Sequence, residues 1–334
     1  MTHERAGGLV RRPPFAVVIA LLILLALLSL GLGLAIGSVD MSLQASWRAL
    51  WDASVPQHAI LTELRLPRLL AAFAVGGLLA VAGALFQVLL RNPLADPYIL
   101  GISGGAAVAA LLVMLLGLSG LWLHLGALTG ALGSVLLVFG LAHAGGRWTP
   151  DRLLLTGVVL AALWGALISL LLALAGDHQL RGMLFWLMGD LAQGSAWHWP
   201  LLILVAGLLL LFPFARELNL LARGALTAGA LGVSVVHLRW LIYFIASILT
   251  AVAVTTAGSI GFVGLIVPHI LRLGIGSDHR RLLPASALLG GSLLMLADTL
   301  ARSLIAPQQL PVGVLTALLG APVFLYLLQR ESRR

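Results

Sequence analysis

Lysine and cysteine do not occur once among the 334 residues. Without lysine no Walker A loop can reach the β- and γ-phosphates of a nucleotide, so the chain is not an ordinary P-loop ATPase. Without cysteine there is no disulfide, no Cys-ligated zinc, no iron–sulfur cluster and no thiol catalysis within it. Charge is scarce as well: charged types make up 10% of the residues against 60% for apolar types, and the mean hydropathy is +1.07. Soluble globular chains do not carry this balance, so the protein is read as a membrane protein in contact with a lipid bilayer. All 20 basic residues are arginines. They punctuate apolar runs instead of forming a basic face, so the sequence pI near 11.4 reports topology and not a nucleic-acid partner. No H-E-x-x-H sequence is present, which argues against a zinc-dependent intramembrane protease.

A membrane-spanning helix needs about 20 apolar residues. Windows of that width pick out residues 15–37, 66–90, 98–117, 121–142, 152–176, 197–214, 240–257, 260–275, 283–305 and 312–329. The predicted fold class is therefore all-α, with about ten transmembrane helices in a single transmembrane domain spanning residues 1–334. The eighth run is short and contains Pro268, but it is needed to reverse the chain. The first follows Arg11, Arg12, Pro13 and Pro14. It outruns a secretory h-region and lacks a convincing cleavage site, so it reads as a retained span after a short tail, residues 1–14.

An even number of spans puts both termini on one side, and the arginines decide which. With cytoplasmic termini the inner segments hold Arg5, Arg11, Arg12, Arg91, Arg147, Arg152, Arg216, Arg223, Arg239, Arg272, Arg280, Arg281, Arg330, Arg333 and Arg334, and the outer ones only Arg48, Arg65, Arg68, Arg181 and Arg302. That distribution follows the positive-inside rule. Small residues at helical spacing, as in Gly33 to Gly37 and Gly126 to Gly130, allow close helix approach in lipid. The segment from Asp177 to His198 has the pattern of a short interfacial helix with Trp197 and Trp199 as anchors.

Arg65 and Arg68 stand at the outer end of the second predicted span, against the charge bias, with Pro67 between them. Two exposed cations at a helix start suit docking of acidic side chains from a periplasmic partner; interfacial arginines snorkelling to headgroups are the plainer alternative. At the inner end of that span, Arg91-Asn92-Pro93-Leu94-Ala95-Asp96-Pro97 is a turn stiffened by two prolines. Asn92 and Leu94 are placed to form a constriction, unless the turn is simply a well-ordered connection. Nine histidines are present, none at H-x-x-x-H spacing; His58, His124, His178 and His198 fall outside or at interfaces, and His269 reads as a packing residue. No metal or cofactor site is expected.

Several long motifs occur in order: R-L-P-R at 65–68, R-N-P-L-A-D-P-Y-I-L-G-I-S-G-G-A from Arg91, G-S-I-G-F-V-G-L-I-V-P-H-I-L-R at 258–272, D-H-R-R-L-L-P at 278–284 and L-P-V-G-V-L-T-A-L-L-G-A-P-V-F at 310–324. Over roughly residues 60–330 the chain resembles the FecCD permeases, the membrane subunits of binding-protein-dependent ABC importers for iron-siderophore, haem and vitamin B12 chelates. The resemblance implies a non-catalytic, multi-pass inner-membrane permease, two ATPase copies on its cytoplasmic side, a periplasmic substrate-binding protein and a second permease copy, a homodimer. It implies that Arg65, Arg68 and Arg302 receive glutamates of the binding protein, with Asp298 one turn from Arg302 in a pair worth about 0.2–0.5 kcal/mol. Charge reversal at Arg65 and Arg302 is accordingly expected to weaken docking. Asn92 and Leu94 match cytoplasmic gate positions; at a second gate position the chain has Pro150 and Asp151 where small hydroxyl residues are usual. Residues 215–239 match the cytoplasmic coupling loop, two short helices in which Leu221, Ala222, Gly224, Thr227, Ala228 and Gly232 meet the ATPase. Ala225 stands where the family usually has an acid, leaving Glu217 as a substitute. The rival function is an ion-coupled secondary transporter, disfavoured because the 12 acids lie at span ends or in loops.

Overall fold

The computed structural model describes residues 14–37, 44, 48–49, 51–55, 57–143, 149–192 and 196–331. The tail up to Pro13 and the topology residues Arg5, Arg11, Arg12, Arg147, Arg333 and Arg334 lie outside them. The described chain is helical throughout: α1 Phe15–Ala35, α2 Leu66–Leu89, α3 Ile102–Leu115, α4 Leu121–His143, α5 Pro150–Leu174, α6 Asp177–Leu187, α7 His198–Leu211, α8 Ala215–Ala222, α9 Ala225–Ala230, α10 Val235–Ala257, α11 Val263–Ile275, α12 His279–Ser303 and α13 Val312–Glu331. A short turn at Gln57–Ala59 and a wider one at Ile60–Arg65 lead into α2.

Each predicted span coincides with a helix, but their lengths divide them. Among the described residues, seven helical runs are long and apolar enough to cross a membrane: Phe15–Ala35, Gln57–Leu89, Leu121–His143, Pro150–Leu174, His198–Ala222, Val235–Ala257 and His279–Ser303. Ile102–Leu115, Val263–Ile275 and Val312–Leu327 are apolar and shorter. Local chemistry explains two of these. Before α3, Asp96 caps a tight 3₁₀ turn at Pro97–Leu100, and Gly101 then takes a left-handed backbone with φ 70°. Before α11, Gly258 and Phe262 both have positive φ, which keeps residues 258–262 out of the helix and moves its start from the expected residue 260 to Val263.

The centre of the molecule is α2, buried along almost its whole length. It packs against α12, α10, α11 and α7, while α3 pairs with α4 and α5, and α1 lies on α12. Glycine makes the central crossings possible. A Cβ on Gly76 would overlap the backbone of Gly290 in α12, and one on Gly83 the backbone of Gly264 in α11. Gly126 and Gly130 of α4 likewise sit on Val113 and on the Gly105 backbone of α3. In lipid no hydrophobic effect drives helices together, so close van der Waals packing has to do so. The outer helices show the complementary pattern, with Leu155, Val159 and Leu209 exposed, as helices bordered by lipid should be. The interfacial helix expected after Asp177 is α6, and Gln179 at its start donates to the Met114 and Leu115 carbonyls that end α3.

Candidate functional site

At 1.5 Å per residue, α2 is about 36 Å long, so residues at its two ends lie on opposite sides of the bundle. One end holds an arginine cluster and the other a pair of short helices.

The arginine cluster is built on one acid. Asp298, fully buried in α12, accepts from Arg68 Nε at 3.0 Å on both oxygens and from its NH2 at 2.8 Å. Arg302, one turn further along α12, brings its Nε to 3.0 Å from Oδ2 as an ion pair without hydrogen-bond alignment. The remaining guanidinium donors complete a different helix. Arg65 donates to the Leu34 and Ala35 carbonyls at 2.5 and 3.3 Å, and Arg302 to that of Gly33 at 3.4 Å. These are carbonyls of the last turn of α1, which has no basic residue of its own there to satisfy them. Arg68 NH1 reaches Gln309 Oε1 at 2.9 Å.

This arrangement corrects the expectation of exposed cations. Arg65 and Arg302 are 5% and 6% exposed, and only Arg68 keeps a modest opening to the surface. They turn inward because a buried carboxylate and unfilled helix carbonyls are strong hydrogen-bond acceptors that water does not reach. The Asp298–Arg302 contact is correspondingly no surface i,i+4 pair of a few tenths of a kcal/mol, but half of a buried three-residue network.

At the opposite end, α2 stops at a turn in which Arg91 has φ 51°, Asn92 Oδ1 accepts from Leu94 N at 2.9 Å, and Asn92 O accepts from Ala95 N at 3.1 Å. Leu94 is exposed and Asn92 half-buried, so the two proposed gate residues share one local fold. Pro150 begins α5, and the Thr149 hydroxyl before it caps Arg152 N. Asp96 closes the turn by accepting from Tyr98 N at 2.8 Å. Burial pushes its carboxyl up to about 6 from 3.8, against the lowering effect of that N–H. A raised carboxylate pKa means the folded state holds the proton longer than the unfolded one, so stability from this group is full below pH 4 and declines as pH rises through 6. Asp96→Asn preserves the cap and removes the titration. Its thermal unfolding midpoint is expected to fall less than that of the parent between pH 4.5 and 7.5, by the equivalent of about 1–2 kcal/mol; superimposable pH profiles would refute this assignment.

Beside this turn lie α8 and α9, the two short helices of the expected coupling loop. Gly224, with φ 129°, makes the corner between them. Leu221, Gly224 and Ala228 are buried against the rest of the protein, whereas Ala222, Thr227 and Gly232 face outward. The expectation that all six meet a partner is therefore corrected: three are the underside of the pair, where helices this short must bury what apolar surface they have. The surface residue missed from sequence is Leu226, 92% exposed, with Leu231 near it in sequence and also exposed. Leu226 is the one large side chain in the run A-L-T-A-G-A, a signal that was there to be read. Asn219 of α8 anchors the pair to α12: it donates to Asp278 Oδ1 at 2.8 Å and accepts from His279 N at 2.8 Å.

A helical bundle with several apolar helices of membrane-spanning length, an arginine cluster at one end and an exposed leucine on a helix pair at the other is that of a multi-pass membrane protein. The chain belongs to the FecCD transport family, which it matches over residues 21–330. It is 44% identical to the hemin transport system permease protein HmuU of Yersinia pestis, covering 89% of this chain and 93% of that protein. It is 45% identical to the Fe(3+) dicitrate transport system permease protein FecD of Escherichia coli over 85% and 90% of the two chains. For the cobalamin import system permease protein BtuC of Halobacterium salinarum the identity is 44%, over 87% and 80%. Among solved structures, a transporter assigned to the metal-chelate ABC type and captured facing inward superposes with a TM-score of 0.82 at 34% identity, covering 95% of this chain and 99% of that one.

Proposed function

We propose that this protein is the permease subunit of a binding-protein-dependent ABC importer of the inner membrane, moving a bulky chelate of the iron-siderophore, haem or cobalamin kind. Membership of the FecCD transport family across nearly the whole chain carries this reading. The chain lacks the lysine an ordinary P-loop requires, so a separate cytoplasmic ATPase, in two copies, supplies the energy. The arginine distribution supports cytoplasmic termini and ten crossings, the three shorter apolar helices being completed by the turns that precede them or by tilt of their neighbours. On that orientation the arginine cluster faces the periplasm and the α8–α9 pair faces the ATPase. A second copy of the chain, related by a two-fold axis, completes the pathway. Asn92 and Leu94 narrow its cytoplasmic mouth. Nothing in the permease performs chemistry: ATP binding shifts the population between outward- and inward-facing arrangements.

Intact-mass measurement of the solubilised assembly tests the composition, and a single permease copy would contradict it. Docking is tested at Arg68, the most open of the three arginines, with the thermal midpoint of the variant measured alongside because the same guanidinium also pairs with Asp298. Arg68→Gln is expected to weaken binding-protein affinity by about tenfold, the worth of one charged hydrogen-bonded contact, while ATPase assembly is retained. Unchanged affinity would remove the docking role. Uptake into vesicles containing this chain alone, without nucleotide, would instead favour the secondary transporter.

A further inference from the structure

Where α2, α8, α11 and α12 converge there is a cavity of about 260 Å³, lined among others by Gln87, Arg91, Ala222, Arg272, Ser277 and His279. Its lining carries two guanidinium groups and an imidazole and no acid. Arg272 NH1 donates to Gln87 Oε1, and the Gln87 amide nitrogen faces the Gly264 and Leu265 carbonyls at 3.5 and 3.3 Å, so the glutamine oxygen is committed to the arginine. Neither Arg91 nor Arg272 has an ion-pair partner among the described residues. Asp278, the acid next to His279 in sequence, accepts from Asn219 Nδ2 and from the Arg280 N–H.

His279 supplies the second, independent observation. It is 1% exposed, and its Nε2 has no hydrogen-bond partner. Asn219 fixes the other nitrogen: its Nδ2 is used on Asp278, so its Oδ1, 2.6 Å from Nδ1, can only accept, and the ring donates through Nδ1. With the proton on Nδ1, Nε2 faces the cavity wall as an unused acceptor. Buried polar atoms without partners are rare in native structures and mark a site for an unseen ligand or ion.

We propose that this cavity binds a phosphoryl oxyanion, either free phosphate or the headgroup of an anionic phospholipid. Two planar guanidinium forks suit the multiple acceptor oxygens of such a group, and a hydroxyl that it carries, P–OH in free phosphate or the glycerol hydroxyl of a headgroup, can donate to His279 Nε2. The site lies at the end of the central helix and next to α8, and His279 is hydrogen-bonded to α8 through Asn219. Occupancy therefore cross-links the helix pair to α2 and α11. This goes beyond the transport role and does not rest on it.

The test is the thermal unfolding midpoint of the purified full-length protein, titrated with inorganic phosphate against sodium chloride at matched ionic strength, in phosphatidylcholine and in phosphatidylglycerol nanodiscs. Phosphate is expected to stabilise the parent in phosphatidylcholine. Its apparent affinity should fall by about tenfold or more in Arg272→Gln and in Arg91→Asn, and remain unchanged in Arg181→Gln at the other end of the bundle. Arg91→Asn guards against misfolding, because its side chain is exposed and asparagine tolerates the left-handed backbone. A phosphate response lost in phosphatidylglycerol discs, with that lipid retained in native mass spectra of the parent and lost from Arg91→Asn, assigns the same chemistry to the lipid source. No phosphate response in phosphatidylcholine, or one undiminished in both variants, overturns the proposal. So does a response abolished when the ATPase binds, since a partner side chain would then own the cavity.

Discussion

Asp298→Asn is expected to lower the unfolding free energy of the detergent-solubilised protein by about 3–5 kcal/mol. The carboxylate is the one acid shared by Arg68 and Arg302, and it is fully buried. Removing its charge leaves two guanidinium groups, one of them almost fully buried, close together without compensation, which costs more than the pair itself contributes. Asparagine keeps the volume and one acceptor, so any loss reports charge and not a void. The consequence should extend to α1, because the same arginine cluster holds the Gly33, Leu34 and Ala35 carbonyls. Adding Arg68→Gln to Asp298→Asn should recover part of the loss, since it withdraws one of the stranded charges; contacting residues of this kind are non-additive by about 0.5–3 kcal/mol. A single-variant loss under about 1 kcal/mol, or strict additivity of the pair, would show that the cluster is well enough solvated to be dispensable.

The second large effect is expected at Leu226. Its side chain is 92% exposed, so its replacement should leave the permease fold untouched. An exposed leucine buried in a partner groove contributes about 1.5–3 kcal/mol, or roughly ten- to hundredfold in affinity. Leu226→Asp should therefore reduce ATPase binding by at least that factor and abolish coupled uptake, with unchanged expression and melting temperature. Leu221→Ala makes the contrast: that side chain is buried beneath the pair, and its truncation should destabilise the permease itself by roughly 2–5 kcal/mol. Co-purification with the ATPase and thermal melting separate the two. Equal ATPase affinity in Leu226→Asp and the parent would move the contact surface elsewhere.

The residues themselves announced the helices, because hydropathy runs of span length depend only on local composition. They also announced the turn at Pro97 and the gap between residues 257 and 260, although not that Ile102–Leu115 and Val263–Ile275 would be shorter than the other apolar helices. The arginines were legible as anomalies of placement. Their burial was not: Arg68 and Asp298 are 230 positions apart, and Arg65 meets the Leu34 carbonyl from 31 positions away. The same holds for residues 215–239, where the family resemblance implied two small helices but could not say which face of each turned inward. Leu221 and Leu226 are the same residue type five positions apart with opposite exposure.

Taken alone, the order of amino acids determined that this chain lives in a bilayer, that it is helical, that it carries no nucleotide-hydrolysing loop of the P-loop kind, and that it belongs with the FecCD permeases. Those properties follow from additive, short-range quantities: apolar content, run length, missing residue types and contiguous motifs. Tertiary structure alone decided that a single aspartate pairs with both Arg68 and Arg302, that Leu226 is exposed while Leu221 is buried, and that Arg91, Arg272 and His279 share a cavity. Each depends on which distant helices the Gly76–Gly290 and Gly83–Gly264 contacts bring side by side, and a side chain's neighbours, unlike its hydropathy, are a property of the assembled bundle.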